Sequence, residues 1–257
     1  MGSPLRKWLL RWLTAPVADY DHRIANSGER LLEAIRPGDV LLVEGGQRIS
    51  RLISYITRSM WTHCALYVGD RAPDGSHMLI ESIIGTGVRT RPVTDYLDRN
   101  IRLCRPTGIH ETDLDAALDD AVSELGAPYD TGNILAVARM LLPLPLLRRR
   151  VHDRGACIGD GSGVRLMCSG LIARAFHSVG YPIVPTWRPE EIDQADTDRH
   201  PYGRHAAKRH WTQVVPRDFD LSPNFRIVKF NIPAGGAFDY QDLDGEPEPT
   251  THQVDTE

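Results

Sequence analysis

A cysteine placed where a helix begins constrains this chain more than any other feature. After Cys168 the apolar residues Leu171, Ile172, Ala175, Phe176 and Val179 recur at helical spacing, and Gly180 with Pro182 supplies a stop. Cys168 therefore belongs to the first turn of a buried helix. Unpaired backbone N–H groups and the positive end of the helix dipole favour thiolate over thiol there, and the thiolate is the nucleophilic form. The plainer reading, an inert core cysteine, is the commoner fate of a free thiol followed by an apolar helix.

A thiolate nucleophile needs a base, and the candidate is His63, about a hundred residues upstream in His63-Cys64-Ala65-Leu66-Tyr67-Val68-Gly69. This stretch reads as a strand. Its period of two puts His63, Ala65 and Tyr67 on one face and Cys64, Leu66 and Val68 on the other, so Cys64 is expected to point away from the partners of His63. Glu81, on a returning strand through Met78 to Ser82, is the nearest acidic residue able to accept the second ring N–H of His63. A solvated strand carboxylate is the alternative reading of Glu81.

Four cysteines, Cys64, Cys104, Cys157 and Cys168, without CxxC spacing fit a reducing compartment and free thiols. With 30 basic against 34 acidic residues and a net charge of −4, nothing points to nucleic acid. At 257 residues one elaborated domain is expected, and no apolar run is long enough to span a bilayer as a helix. Residues 1–20 hold Leu5, Trp8, Leu9, Trp12 and Leu13 on one helical stripe with Arg6, Lys7 and Arg11 around it, and Arg11 interrupts what would be a secretory apolar region. This amphipathic helix has three candidate partners: an anionic membrane surface, the protein's own body, or another protein. The expected location is cytoplasmic, with peripheral contact at the inner membrane face the lipid variant of that reading.

Between the ends, residues 21–234 form the expected domain. A helix leads to Arg36-Pro37-Gly38-Asp39, then come a buried strand at 40–43, a helix over 49–59, the strands holding His63 and Glu81, and a strand at 101–105. Thr112 with Asp115 reads as a capping box for a helix running to Gly126, and a further helix spans 134–142 before the basic run Arg148-Arg149-Arg150. His200, His205 and His210 lie in a charged stretch whose spacing of five does not align them on one helical face, so a charged loop is the better reading than a metal site. Val214 to Phe219 and Phe225 to Phe230 suggest a closing strand, and residues 235–257 read as an acidic, disordered tail.

Four phrases together resemble the NlpC-type branch of the papain-like cysteine hydrolases. They are Arg36-Pro37-Gly38-Asp39-Val40-Leu41-Leu42, the His63 strand, Leu125-Gly126-Ala127-Pro128-Tyr129-Asp130 and Cys168-Ser169-Gly170-Leu171-Ile172. In the ordinary family the cysteine phrase comes first. Here the histidine strand precedes it, so the resemblance is to the circularly permuted members, the YiiX/YebB-like group, related in turn to lecithin retinol acyltransferase-like proteins. It implies an α+β fold in which an antiparallel sheet packs against the helix bearing the cysteine. It also implies Cys168 as nucleophile, His63 as base, Glu81 as orienting third member, and Tyr129 and Ser169 at the substrate, with neither cofactor nor metal.

The function expected on this basis is cysteine-dependent hydrolysis or acyl transfer at an amide or ester bond through an acyl thioester, on a small-molecule, peptide or lipid substrate. A catalytically silent binding or scaffold domain that keeps the fold is the alternative. A zinc protein using Cys157, Cys168 and His177 is a third reading.

Overall fold

The structure, a computed structural model, describes residues 12, 15, 16, 26–73, 75–128, 168–187, 206–208 and 210–231. Most of the expected N-terminal helix, Tyr129, the 134–142 helix, the basic run at 148–150, Cys157, His200, His205 and the tail from 235 lie outside these residues.

Six strands form one antiparallel sheet: β1 Val40–Val43, β2 His63–Gly69, β3 Met78–Ile83, β4 Gly87–Pro92, β5 Ile101–Pro106 and, later in the chain, β8 Phe225–Val228. Their order is β4-β3-β2-β1-β5-β8, which puts β1 and β2 in the middle. The continuous apolar run Val40-Leu41-Leu42-Val43 follows from this position, because both faces of β1 are covered. On one face Val40, Leu42, Cys64, Leu66, Val68, Ile80 and Cys104 share a core with α3 (Glu111–Ser123) and α4 (Cys168–Ser178). On the other, Leu41, Val43, Ala65, Tyr67, Leu79 and Leu103 pack with Leu31 and Ile35 of the α1 region (α1 is Gly28–Ala34) and with Val93 and Tyr96 of a 3-10 turn, Val93–Tyr96. The α+β class with an antiparallel sheet against the cysteine helix is thus the observed one.

Local signals explain most boundaries. Ser27 caps α1 through its hydroxyl, which accepts the Arg30 N–H at 3.4 Å. Gly38 sits at φ +92°, and a Cβ there would lie 2.5 Å from Leu114, so the turn into β1 requires glycine. Asp39 follows, buried, and its two carboxylate oxygens take Arg105 Nε at 2.8 Å and Nη2 at 2.7 Å, tying the start of β1 to β5. The α2 helix, Arg48–Thr57, begins beside Trp12, whose ring lies 5.0 Å from the Arg48 guanidinium, and the Arg48 N–H donates to Ala15 O at 3.1 Å. That piece of the N-terminal segment packs on the protein's own body.

Three expectations need correcting. The α3 helix starts at Glu111 with His110 as its cap, so Thr112 lies inside the first turn, and Asp115 pairs with Arg71 instead of completing a capping box. Residues 216–221 form a helix, α5 (Pro216–Leu221), where a strand was expected. Pro216 at the first helical position, with Asp218 accepting the Val215 N–H at 2.9 Å, outweighs the β-branched Val214 and Val215. The charged stretch after 199 is not all loop: β7 (Ala206–Lys208) pairs with β6 (Pro185–Trp187).

Candidate active site

His63 is the first residue of β2, and the residues before it pin that strand end. The buried indole of Trp61 donates from Nε1 to Asp220 at 3.1 Å, while Arg102 lies 5.0 Å above its ring and donates to the same carboxylate at 2.6 Å. The Thr62 N–H donates to Val43 O at 3.1 Å and its hydroxyl accepts the Gly45 N–H at 2.9 Å. The imidazole leaves the sheet at this end, partly exposed.

Glu81 reaches His63 because of strand register. Leu66 pairs with Ile80 and Tyr67 with Leu79, and continuing that pairing sets Glu81 opposite Ala65, on the face of His63 and one diagonal away. The carboxylate accepts from His63 Nε2 at 2.8 Å. Glu81 is 0 % exposed, so the solvated reading of this residue is replaced by a buried one. The Tyr96 hydroxyl donates to the same oxygen as His63, and Arg89 donates to the other from Nε at 3.0 Å and Nη2 at 2.9 Å.

Cys168 opens α4, as its sequence position predicts, and is buried. The electrostatics of its sulfur are set by the His63 side chain and by the thiol and backbone N–H of Cys64. With Nε2 engaged by Glu81, Nδ1 is the ring nitrogen left for Cys168. Cys64 does lie on the opposite sheet face from Glu81, as period two demands, but that face is the one α4 covers. The expectation that Cys64 points away from the partners of His63 is therefore wrong for Cys168. Ser169 is 1 % exposed and its hydroxyl donates to Val214 O at 2.6 Å, which anchors the start of α4.

These contacts polarise the group. The Cys64 hydrogen bond pulls Cys168 down, burial opposes it, and the His63 hydrogen bond and charge carry the thiol well below its ordinary range. Burial works against the imidazolium of His63, but Cys168 and Glu81 outweigh it and push His63 up to about 10. For Glu81 burial raises the pKa, and the bonds and charges of His63, Tyr96 and Arg89 overcome it, leaving the carboxyl at about 2. Cys64 goes the other way, well above the usual thiol value through burial and the adjacent Cys168. These shifts favour a thiolate–imidazolium pair backed by a carboxylate.

Cys168, His63 and Glu81 are thus brought together. Tyr129 lies outside the described residues, although the phrase leading to it runs beside β4, where Val88 and Gly126 exchange bonds with the Ala127 and Val88 carbonyls. Arg89 and Tyr96 were not found by sequence reasoning. Arg89 had a signal: a hairpin turning at Gly85-Thr86 sets it directly across from Glu81. Tyr96 had none, since its 3-10 turn comes from no strand or helix period. Among the described residues, no group of three or more His, Cys, Asp or Glu side chains is placed to hold a metal ion.

The chain is similar to proteins of known family. The family model described as permuted papain-like amidase enzymes, YaeF/YiiX, matches residues 34–139, a span that contains His63 and Glu81 and stops before Cys168. A crystal structure described as the metalloprotein yiiX from Escherichia coli is 16% identical, with a TM-score of 0.47, over 78% of this chain and 99% of that one. No curated protein matches. Over residues 34–139, then, the chain is similar to the permuted papain-like amidases of the YaeF/YiiX family.

Proposed function

We propose that the protein is a cysteine amidase that cleaves an amide bond in a peptide or small molecule through a Cys168 acyl thioester. The carrying observation is a cysteine at a helix start that acts electrostatically on His63, whose Nε2 is bonded to the buried Glu81 at 2.8 Å. In the first half-reaction the Cys168 thiolate forms an S–C bond to the carbonyl carbon, and the carbonyl electron pair moves onto oxygen. The Cys168 backbone N–H, in the first helical turn and without an intrahelical acceptor, is positioned as one donor to that oxyanion. Collapse breaks the C–N bond while the His63 imidazolium gives its Nδ1 proton to the departing amine. His63, now neutral, takes a proton from water as the water attacks the thioester, releasing the acid and restoring the ion pair. Glu81 accepts the Nε2–H throughout, so the ring keeps one orientation and its charged form is stabilised.

The test is intact-mass screening of wild type, Cys168→Ala and His63→Ala against amide, peptide and phospholipid panels. The expected result is an acyl adduct and amine release with wild type, no adduct with Cys168→Ala, and loss of turnover by at least about a thousandfold with either variant. Adducts formed only from phospholipids would replace the amide substrate by an ester. Amide turnover that survives Cys168→Ala would end the proposal, and absence of any adduct together with ordinary thiol reactivity would favour a silent binding domain.

A further inference from the structure

Glu81 receives more than a third catalytic member requires. Its Oε2 takes His63 Nε2 at 2.8 Å and the Tyr96 hydroxyl, and its Oε1 takes Arg89 Nε at 3.0 Å and Nη2 at 2.9 Å. Arg91 Nη1 stands 3.9 Å from the same Oε1. Tyr96 is held from its other side, because the Arg91 guanidinium lies 4.8 Å from the centre of its ring and donates to Asp95 at 3.0 Å. Arg89 is fixed by the hairpin that places it opposite Glu81. A buried carboxylate with so many donors cannot rotate without breaking charge-assisted bonds, and it is strongly held in its ionised form.

We propose that Tyr96 and Arg89 are positioning residues that lock the Glu81 carboxylate, ionised and aimed at His63 Nε2, so that the Cys168–His63 ion pair persists into acidic solution. The inference rests on the amidase reading above and deepens it. The charged and titratable groups facing Glu81 are His63 from β2, Arg89 and Arg91 from β4, Tyr96 from the 3-10 turn, and Cys168 and Cys64 behind His63. Asp95 neutralises part of the Arg91 charge. Removing the Tyr96 hydroxyl or the Arg89 cation leaves burial less opposed, so Glu81 takes up a proton at higher pH. A protonated Glu81 no longer supports the imidazolium, and the thiolate is lost with it.

The experiment measures iodoacetamide alkylation of Cys168 against pH, which needs no substrate, in the full chain and in Tyr96→Phe, Arg89→Gln and Arg89→Lys. The acid limb of the profile should move up by about one pH unit in Tyr96→Phe and Arg89→Gln, and return most of the way in Arg89→Lys, which keeps the charge. Once a substrate is identified, kcat should fall about tenfold with KM within about twofold. Profiles of Tyr96→Phe and Arg89→Gln that superimpose on wild type, with only thermal stability reduced, would show a purely structural role and overturn the inference. Should these variants not fold, an infrared titration of the Glu81 carboxyl in the intact protein, assigned by difference against Glu81→Gln, decides instead. An ordinary carboxylic-acid midpoint there would overturn the lock. His63→Ala, run alongside, separates the two readings: if wild type alkylates no faster than this variant at neutral pH, the amidase reading fails and the lock goes with it. If that contrast is present while the acid limbs coincide, the lock alone fails.

Discussion

Three of the four cysteines are described, and they differ in electrostatic environment more than in exposure. Cys104, on β5, is pushed up to about 12 by burial and by the Asp220 charge, and Cys64 is pushed well above the ordinary thiol range. Cys168 is driven the opposite way by Cys64 and His63. In a Cys157→Ser background a brief alkylation pulse at neutral pH should therefore label Cys168 alone, with Cys64 and Cys104 modified only after unfolding. Peptide mapping by mass spectrometry reads this directly, and equal labelling of Cys64 and Cys168 would contradict the assigned polarity. The residues legible in the sequence were those whose local context carries chemistry: Cys168 at a helix start, His63 on a strand, Glu81 on the next strand. The position of Cys64 was half legible. Period two gave its face correctly, but which face α4 covers is decided by packing between segments about a hundred residues apart.

At the scale of elements, the Pro37-Gly38-Asp39 phrase shows how a family motif can be structural. Gly38 makes the turn, and Asp39 spends its carboxylate on the Arg36 N–H at 2.8 Å and on Arg105. Arg105 also donates to Ala34 O, so one guanidinium joins the end of α1, the start of β1 and β5. Removing it strands a buried carboxylate. Arg105→Leu should cost about 3–5 kcal/mol in denaturant unfolding, the range for breaking one side of a buried ion pair, whereas Arg226→Leu on the exposed edge strand β8 should change little. Equal midpoints for the two variants would refute this role for Arg105. The elements themselves followed from apolar periodicity wherever they were half-buried or sandwiched. The failure at 214–219 has a plain cause: a run of β-branched and aromatic residues suits strand or core helix equally, and here Pro216 and Asp218 settle it as helix.

For the whole molecule, the order of histidine strand before cysteine helix is accommodated because the sheet, not the sequence, sets neighbours. The histidine strand lies between β1 and β3 in the middle of the sheet, and α4, arriving much later in the chain, lays its first residue against that strand's beginning. The Cys168–His63 pairing is thus a tertiary one that links two distant parts of the chain, and its charges couple to global stability. His63 is raised from 6.5 to about 10, so its contribution is full below its unfolded value and is lost as pH rises through about 10. Glu81 is lowered from 4.5 to about 2, so its contribution is present above 4.5 and is lost as pH falls through about 2. The stability advantage of wild type over Glu81→Gln should accordingly be largest between 4.5 and 6.5, the two unfolded values, and shrink on both sides. Urea melts from below 4.5 to above 6.5, reaching toward the folded values of about 2 and about 10, measure it. A pH-independent gap would mean that the His63–Glu81 contact carries no net charge pairing in the folded protein, and the thiolate–imidazolium assignment for Cys168 would lose its electrostatic support.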